Sequence, residues 1–269
     1  MKRMKKQIAI MICIVLGLSP LSVRASDDFC SVRNRTIAVG EVLTYKVFYN
    51  VSAVWAAAGE AKFTTQLTNM YNKPVYHIRG IGNTYTSYDW IFKVRDVYET
   101  FVDTANLYPV RFRRDVNEGG YRFTNDVTFY QDIKKTVSKG KTYTTPACVQ
   151  DVLSAIYYAR NIDYSQYQAG DKIPFSMFLD DEVYDLYIRY MGKVKIRTKY
   201  GEFNALKIQP LLIDGTIFKG GEKMVVYVSD DLNHVPLRVE SPILVGSIKV
   251  DLMQYQNLKH PLSSLLKKF

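Results

Sequence analysis

Few side chains in this chain combine the type and spacing that covalent or acid–base chemistry needs. The histidines are His77, His234 and His260, and none has a second His or a Cys at ligand spacing. Zinc sites draw on clustered Cys, His and carboxylate groups, so no metal site and no cofactor is expected. There is no G-x-S-x-G nucleophile elbow and no G-x-x-x-x-G-K-[ST] phosphate loop. Ser154 falls within an apolar helical pattern, where serine serves as a small residue. Carboxylates cluster at Asp180-Asp181-Glu182 and Asp230-Asp231. Paired carboxylates can act as general acid and base. Both clusters, however, lie between strand patterns, where Asp bonds its own backbone to make turns. The turn reading is preferred, and a hydrolase built on these groups is the lesser alternative.

Binding chemistry has better candidates. Lys193, Lys195, Arg197 and Lys199 alternate with Val194, Ile196 and Thr198, giving a strand with one basic face. Arg111, Arg113 and Arg114 surround Phe112. Aromatic residues gather at Tyr85, Tyr88, Trp90 and Phe92, and again at Tyr184, Tyr187 and Tyr190. Tyr and Trp offer rigid contact area with a polar tip. The expected ligand contacts are Tyr85, Tyr88, Trp90, Arg111, Arg113, Lys193, Lys195 and Arg197. The plain alternative is a solvated sheet face with cations that discourage edge pairing.

The elements that must position these residues follow a period of two. Alternating runs occur at Glu41–Asn50, Ala61–Thr68, Val75–Ile81, Asp96–Val102, Val110–Arg114, Tyr121–Tyr130 and Lys134–Ser138. A second series covers Val183–Met191, Lys193–Lys199, Phe203–Gln209, Lys223–Ser229, Val235–Glu240 and Gly246–Gln254. Turn signals such as Glu118-Gly119-Gly120 and Lys139-Gly140-Lys141 separate them. One stretch departs from this period. Thr145 as N-cap, Pro146 as first residue and the spacing of Val149, Leu153 and Ile156 predict a helix over Pro146–Arg160. The apolar tail with Leu262, Leu265 and Leu266 is expected to form a short second helix or to fray. The fold class is therefore all-β, a mostly antiparallel curled sheet or partly open barrel with one central α-helix. A single β-rich domain over 26–269 is expected, with β halves near 29–144 and 162–258 joined by the helix.

Residues 1–25 read as a secretory signal peptide. Lys2, Arg3, Lys5 and Lys6 precede a short apolar run from Ile8 to Leu18, and Val23-Arg24-Ala25 offers a cleavage site. Export to the periplasm or cell surface is the expected localisation. No later apolar run is long enough to predict a membrane-spanning helix. The segment holds five of the 36 basic residues and no acid, leaving 31 against 26, or +5. So mild an excess makes nucleic acid an unexpected partner. Cleavage also removes Cys13. Cys30 and Cys148 remain, and an oxidising compartment permits a disulfide between them, the alternative being two buried thiols.

Several stretches look familiar together. They are Val39 to Tyr45 with Ala58-Gly59-Glu60-Ala61, the helical Asp151 to Arg160, and Tyr200 to Ile208. The last is Val225 to Asp231, followed by Val235 to Val239 and Val245 to Ile248. They resemble the uncharacterised bacterial family known as domain of unknown function 3108, over roughly residues 38 to 255. Tyr227 stands where that family often has Trp, which keeps an aromatic ring. The resemblance implies an exported, β-rich protein and implies no catalytic residue.

The resulting expectation is an exported, non-catalytic cell-envelope protein whose concave sheet face holds an amphiphilic or glycan ligand. An envelope scaffold or assembly factor that binds another protein through a sheet edge or basic face is the main alternative.

Overall fold

A computed structural model describes residues 30–50, 55–214, 220–243 and 245–269. The expected signal peptide lies outside the described residues. The first meander comprises β1 (Val42–Asn50), β2 (Trp55–Met70), β3 (Lys73–Thr84), β4 (Arg95–Asp103), β5 (Pro109–Glu118), β6 (Tyr121–Tyr130), β7 (Lys135–Ser138) and β8 (Lys141–Thr144). Helix α1 (Val152–Ala159) follows. The second meander comprises β9 (Lys172–Leu179), β10 (Glu182–Arg197), β11 (Gly201–Pro210), β12 (Val225–Ser229), β13 (Pro236–Pro242) and β14 (Ser247–Gln256), and β15 (Leu265–Lys268) ends the chain. All belong to one antiparallel sheet, in which β1 pairs with β14 to join the two meanders and β15 pairs with β11.

Local sequence explains the tight connections. Four two-residue hairpins place both central residues at positive φ: Tyr71-Asn72, Gly119-Gly120, Lys139-Gly140 and Asp180-Asp181. Such primed turns match the right-handed twist of their strands, and Gly, Asn and Asp supply the left-handed conformation at least cost. The Asp180-Asp181 pair is thus a hairpin turn. The runs read separately as Val183–Met191 and Lys193–Lys199 form one long strand, β10, whose register shifts between Tyr190 and Lys193 around Gly192 at φ 92°.

The sheet curls without closing, and β8 and β9 are its two free edges. The segment between β8 and α1 runs on from the first edge and bonds to the second. Gln150 N donates to Ser176 O of β9 at 2.9 Å, and Phe178 N donates to Gln150 O at 2.8 Å. From the opposite side, Gln131 Nε2 donates to Val149 O at 2.9 Å. This use of residues 145–150 corrects the expected helix start. Helix α1 begins at Val152 because Asp151, extended at φ −93° and ψ 176°, is the N-cap. Its Oδ1 accepts from Leu153 N and Ser154 N at 2.8 Å each, and Ser154 Oγ accepts from Asp151 N at 2.9 Å. This is a capping box with Ser in the third position. A disulfide joins Cys148 of the bridging segment to Cys30, with a Cα–Cα separation of 5.5 Å across 118 positions of sequence. Closing a loop of that length stabilises by about 5 kcal/mol in the chain-entropy account.

Helix α1 fills the concave face. Leu153, Tyr157 and Tyr158 are buried with Val102, Phe112, Val127 and Phe129 of the first meander and with Ile173, Phe178, Ile188 and Ile208 of the second. Burying each such aliphatic or aromatic side chain contributes about 1.5–3 kcal/mol. A smaller cluster of Leu43, Tyr45, Phe203, Leu237 and Leu252 is packed by Leu258, Leu262 and Leu265 of the C-terminal segment. The tail is therefore neither helical nor frayed, since Leu265–Lys268 pairs with Gly201–Phe203. The close approach depends on Gly201, where a Cβ would lie 2.2 Å from Lys267 O.

Two of the stretches that carry the family resemblance, Val39 to Tyr45 and Asp151 to Arg160, meet in one buried ion pair. Arg160, just past α1, donates to both oxygens of Glu41 at 2.6 and 2.8 Å, and its Nε donates to Asn233 O at 3.2 Å. Both side chains are fully buried, at 2% and 0% exposure. His234 Nδ1 lies 2.8 Å from Arg160 O, and Asp231 accepts from Ser229 Oγ and Asn233 N in the adjoining turn. These contacts lock the helix end to the start of β1 and to the β12–β13 turn.

Candidate functional site

The face of β4, β5 and β6 turned away from α1 carries an open trough of about 310 Å³. Alternation sets its lining. Thr100, Phe112 and Val127 point inward, where Thr100 Oγ1 donates to Asp151 Oδ2 of the helix cap at 2.6 Å. Their neighbours Glu99, Arg113 and Asp126 therefore point outward. Register makes them a row, because Glu99 faces Arg113 and Arg113 faces Asp126. Val97, Asp115 and Thr124 form the next row. Alternating donors and acceptors are thus held on a rigid three-stranded platform.

The charges are already balanced within the site. Arg111 binds Asp126 through two bonds, Nε to Oδ1 at 2.7 Å and Nη2 to Oδ2 at 2.5 Å, and Arg113 Nε reaches Asp126 Oδ2 at 3.1 Å. The Arg111 hydrogen bonds hold the Asp126 carboxyl below the usual carboxylate range. Glu99 pairs with two β3 residues, with His77 Nε2 at 2.9 Å and Arg79 Nε at 3.6 Å. His77 also stacks on Phe101 at 4.4 Å between ring centroids. Fixed ion pairs leave lone pairs and N–H groups directed outward without a large net field.

The expected contact residues occupy three separate places. Arg113 lines the trough, and Arg111 stands beside it, bonded to the lining Asp126. Tyr85, Tyr88 and Trp90 lie on the β3–β4 loop at one end of the sheet, where Tyr85 and Tyr88 are half-buried and Trp90 is 82% exposed. Lys193, Lys195 and Arg197 lie exposed along the far part of β10. There Lys193 pairs with Asp230 at 2.9 Å, and Arg197 sits 4.5 Å over the Phe269 ring. The concave face, expected to hold the ligand, is occupied by α1 and its core.

The carboxylate clusters serve the fold. Asp180 pairs with Arg114, Asp181 accepts from Ser138 Oγ at 2.6 Å and Lys139 Nζ at 3.2 Å, and Tyr184 donates to Glu182 at 2.9 Å. Asp180 and Asp181 thereby fasten the β9–β10 turn to β5 and β7, and Asp231 builds the β12–β13 turn. No metal-ligating group of three or more residues occurs among the described residues.

One acidic pair escaped the sequence reading. Asp96 and Glu118 are 7% and 8% exposed on the inward face where β4 and β5 meet the β3–β4 loop. Asp96 Oδ1 accepts from Asn117 N at 3.0 Å. Burial pushes the Asp96 carboxyl up to about 7, with the charge and hydrogen bond of Glu118 acting in the same direction. The available signal was phase: Asp96 falls in step with Tyr98, Thr100 and Val102. Val97 and Phe101 make the opposite face equally apolar, so the phase was ambiguous.

Residues 44–253 match the family model described as Protein of unknown function (DUF3108), and the chain belongs to that family. No curated protein matches it. Among solved structures, a β-barrel-like protein of domain of unknown function DUF1849 from Brucella abortus is 11% identical. The match covers 82% of this chain and 98% of that one, with a TM-score of 0.52. That likeness concerns the fold alone. A lipoprotein candidate from Parabacteroides distasonis is 12% identical, with 81% and 96% of the two chains covered, but its TM-score of 0.34 carries no argument.

Proposed function

We propose that this member of the DUF3108 family is an exported, non-catalytic binding protein of the cell envelope that holds an uncharged glycan in the β4–β6 trough. The observation that carries this reading is the row of Glu99, Arg113 and Asp126, fixed in place and charge-balanced on an open platform. Sugar hydroxyls both donate and accept, so they suit alternating carboxylates and guanidinium groups. An acidic ligand would meet arginines already committed to Asp126. A lipid chain would need an apolar enclosure, and α1 takes up the concave face. The cleft is at the lower end of the 300–1,000 Å³ usual for small-ligand sites. The signal-peptide pattern and the Cys30–Cys148 bridge support an oxidising, exported location.

The test is a chemical-shift titration of the mature protein with neutral and acidic envelope oligosaccharides. Neutral sugars are expected to shift the backbone signals of Arg113, Thr124 and Asp126. Arg113→Ala is expected to weaken binding by about 10- to 100-fold, the worth of a charge-assisted hydrogen bond. Shifts confined to other strands, or tighter binding of acidic sugars, would overturn the assignment.

A further inference from the structure

We propose that the β3–β4 loop is a rigid aromatic knuckle that seats on an anionic lipid bilayer surface. Trp90, Ile91 and Phe92 are consecutive and 82%, 53% and 43% exposed. Three adjacent large apolar side chains in water are a liability unless they meet a partner. A slack loop could fold them away, but this loop is pinned throughout. Asp89 accepts from Thr84 Oγ1 at 2.7 Å and Arg95 Nη2 at 2.6 Å. Arg95 Nη1 also donates to Thr84 O at 3.0 Å. Backbone bonds join Tyr85 N to Ala58 O, Ile91 N to Tyr88 O and Gly119 N to Lys93 O at 2.8–2.9 Å. Phe92 packs on Gly119, where a Cβ would come within 2.4 Å of the ring. The exposed triplet is therefore held out by its own scaffold.

The end of the sheet around it has the composition of a bilayer-facing surface. Trp55, the chain's other tryptophan, begins β2 at this end, with Lys249 Nζ 4.3 Å over its ring. Tyr121 opens β6 beside the Gly119-Gly120 turn and is 52% exposed. Trp and Tyr favour the headgroup level, and neighbouring cations reach anionic phosphates. The charge is complementary. Asp89 is bonded to Arg95, Asp96 and Glu118 are buried together, and Asp180 is paired with Arg114. Lys93 and Arg122 form no salt bridge among the described residues, and both are exposed. A protruding knuckle with cationic flanks suits insertion at a lipid surface. A protein groove is the competing occupant.

The mature protein carrying Trp55→Phe, which leaves Trp90 as its only tryptophan, is mixed with two kinds of vesicle. One is pure phosphatidylcholine and the other contains phosphatidylglycerol. Tryptophan emission and co-sedimentation are read together. The expected result is a blue shift and quenching by brominated acyl chains with phosphatidylglycerol vesicles, weakened by salt. Trp90→Ala in the otherwise natural protein should lower vesicle affinity about tenfold or more. Its melting temperature should stay unchanged, because the side chain is exposed. Trp90 emission that stays at the fully hydrated wavelength with every vesicle overturns the proposal and leaves a protein groove as the partner. Vesicle binding that Trp90→Ala does not alter also overturns it.

Discussion

At the scale of residues, the same side-chain types do opposite work according to the face they occupy. Glu99 and Asp126 point outward and keep arginine and histidine partners in a hydrated trough. Asp96, one strand position out of phase with Val97, points inward beside Glu118 and loses its hydration. Its carboxyl lies at about 7 in the folded chain against an ordinary value of 3.8, and burial raises Asp151 to about 6 in the same way. A folded-state value above the unfolded one means that folding takes up protons. The associated stability is fully present below about pH 4 and is lost as the pH rises through 7. Buried His234, held below its ordinary value, works in the opposite sense as the pH falls, so the share of Asp96 is read by substitution. Asp96→Asn should raise the thermal midpoint more at pH 8 than at pH 5, and an equal change at both would contradict the assignment. Residue types alone could nominate Arg113, which lines the trough, and Arg111, which bonds the lining Asp126. They could not nominate Asp96, because β4 carries both apolar and acidic residues on each face. They also could not separate Lys193, Lys195 and Arg197 from the other candidates, because distance between strands is set by pairing order.

At the scale of elements, β periodicity was legible almost throughout, and the interruptions were not. The strands around Tyr121–Tyr130 and Val75–Ile81 follow their alternation. Short β8 and edge strand β9 were missed: β8 has four residues, and Pro174 interrupts β9. The helix was legible through Leu153 and Ile156, but Thr145-Pro146 imitated its start. What decides the true start is that Val149 and Gln150 tie the β6–β7 connection to β9. The joint at the other end of α1 makes a sharper prediction. Arg160→Met leaves Glu41 buried without its partner and should cost about 3–5 kcal/mol in chemical denaturation. Adding Glu41→Leu should recover most of that loss, since a well-packed apolar pair avoids the desolvation of both ions. A single variant as stable as the natural protein would remove this ion pair from the account of the fold. Glu41 and Arg160, each within a stretch that carries the family resemblance, hold helix to sheet.

At the scale of the whole molecule, a curled antiparallel sheet of two meanders encloses one helix, and the space that curvature creates is taken by core. That result fills the concave face, where an open barrel suggested a ligand, and leaves the outer platform of β4–β6 as the proposed site. Sequence could not reveal this, because an inward and an outward strand face look alike until the partner of the apolar face is known. The balanced charge and shallow polar trough are what support the proposed glycan reading. The direct test is native mass spectrometry of the mature protein purified from its own host, beside the Arg111→Ala/Arg113→Ala variant. A near-stoichiometric mass increment that releases an uncharged saccharide, and that the variant lacks, is the predicted result. A bare polypeptide mass for the natural protein, or an increment the variant retains, would contradict the glycan-binding trough.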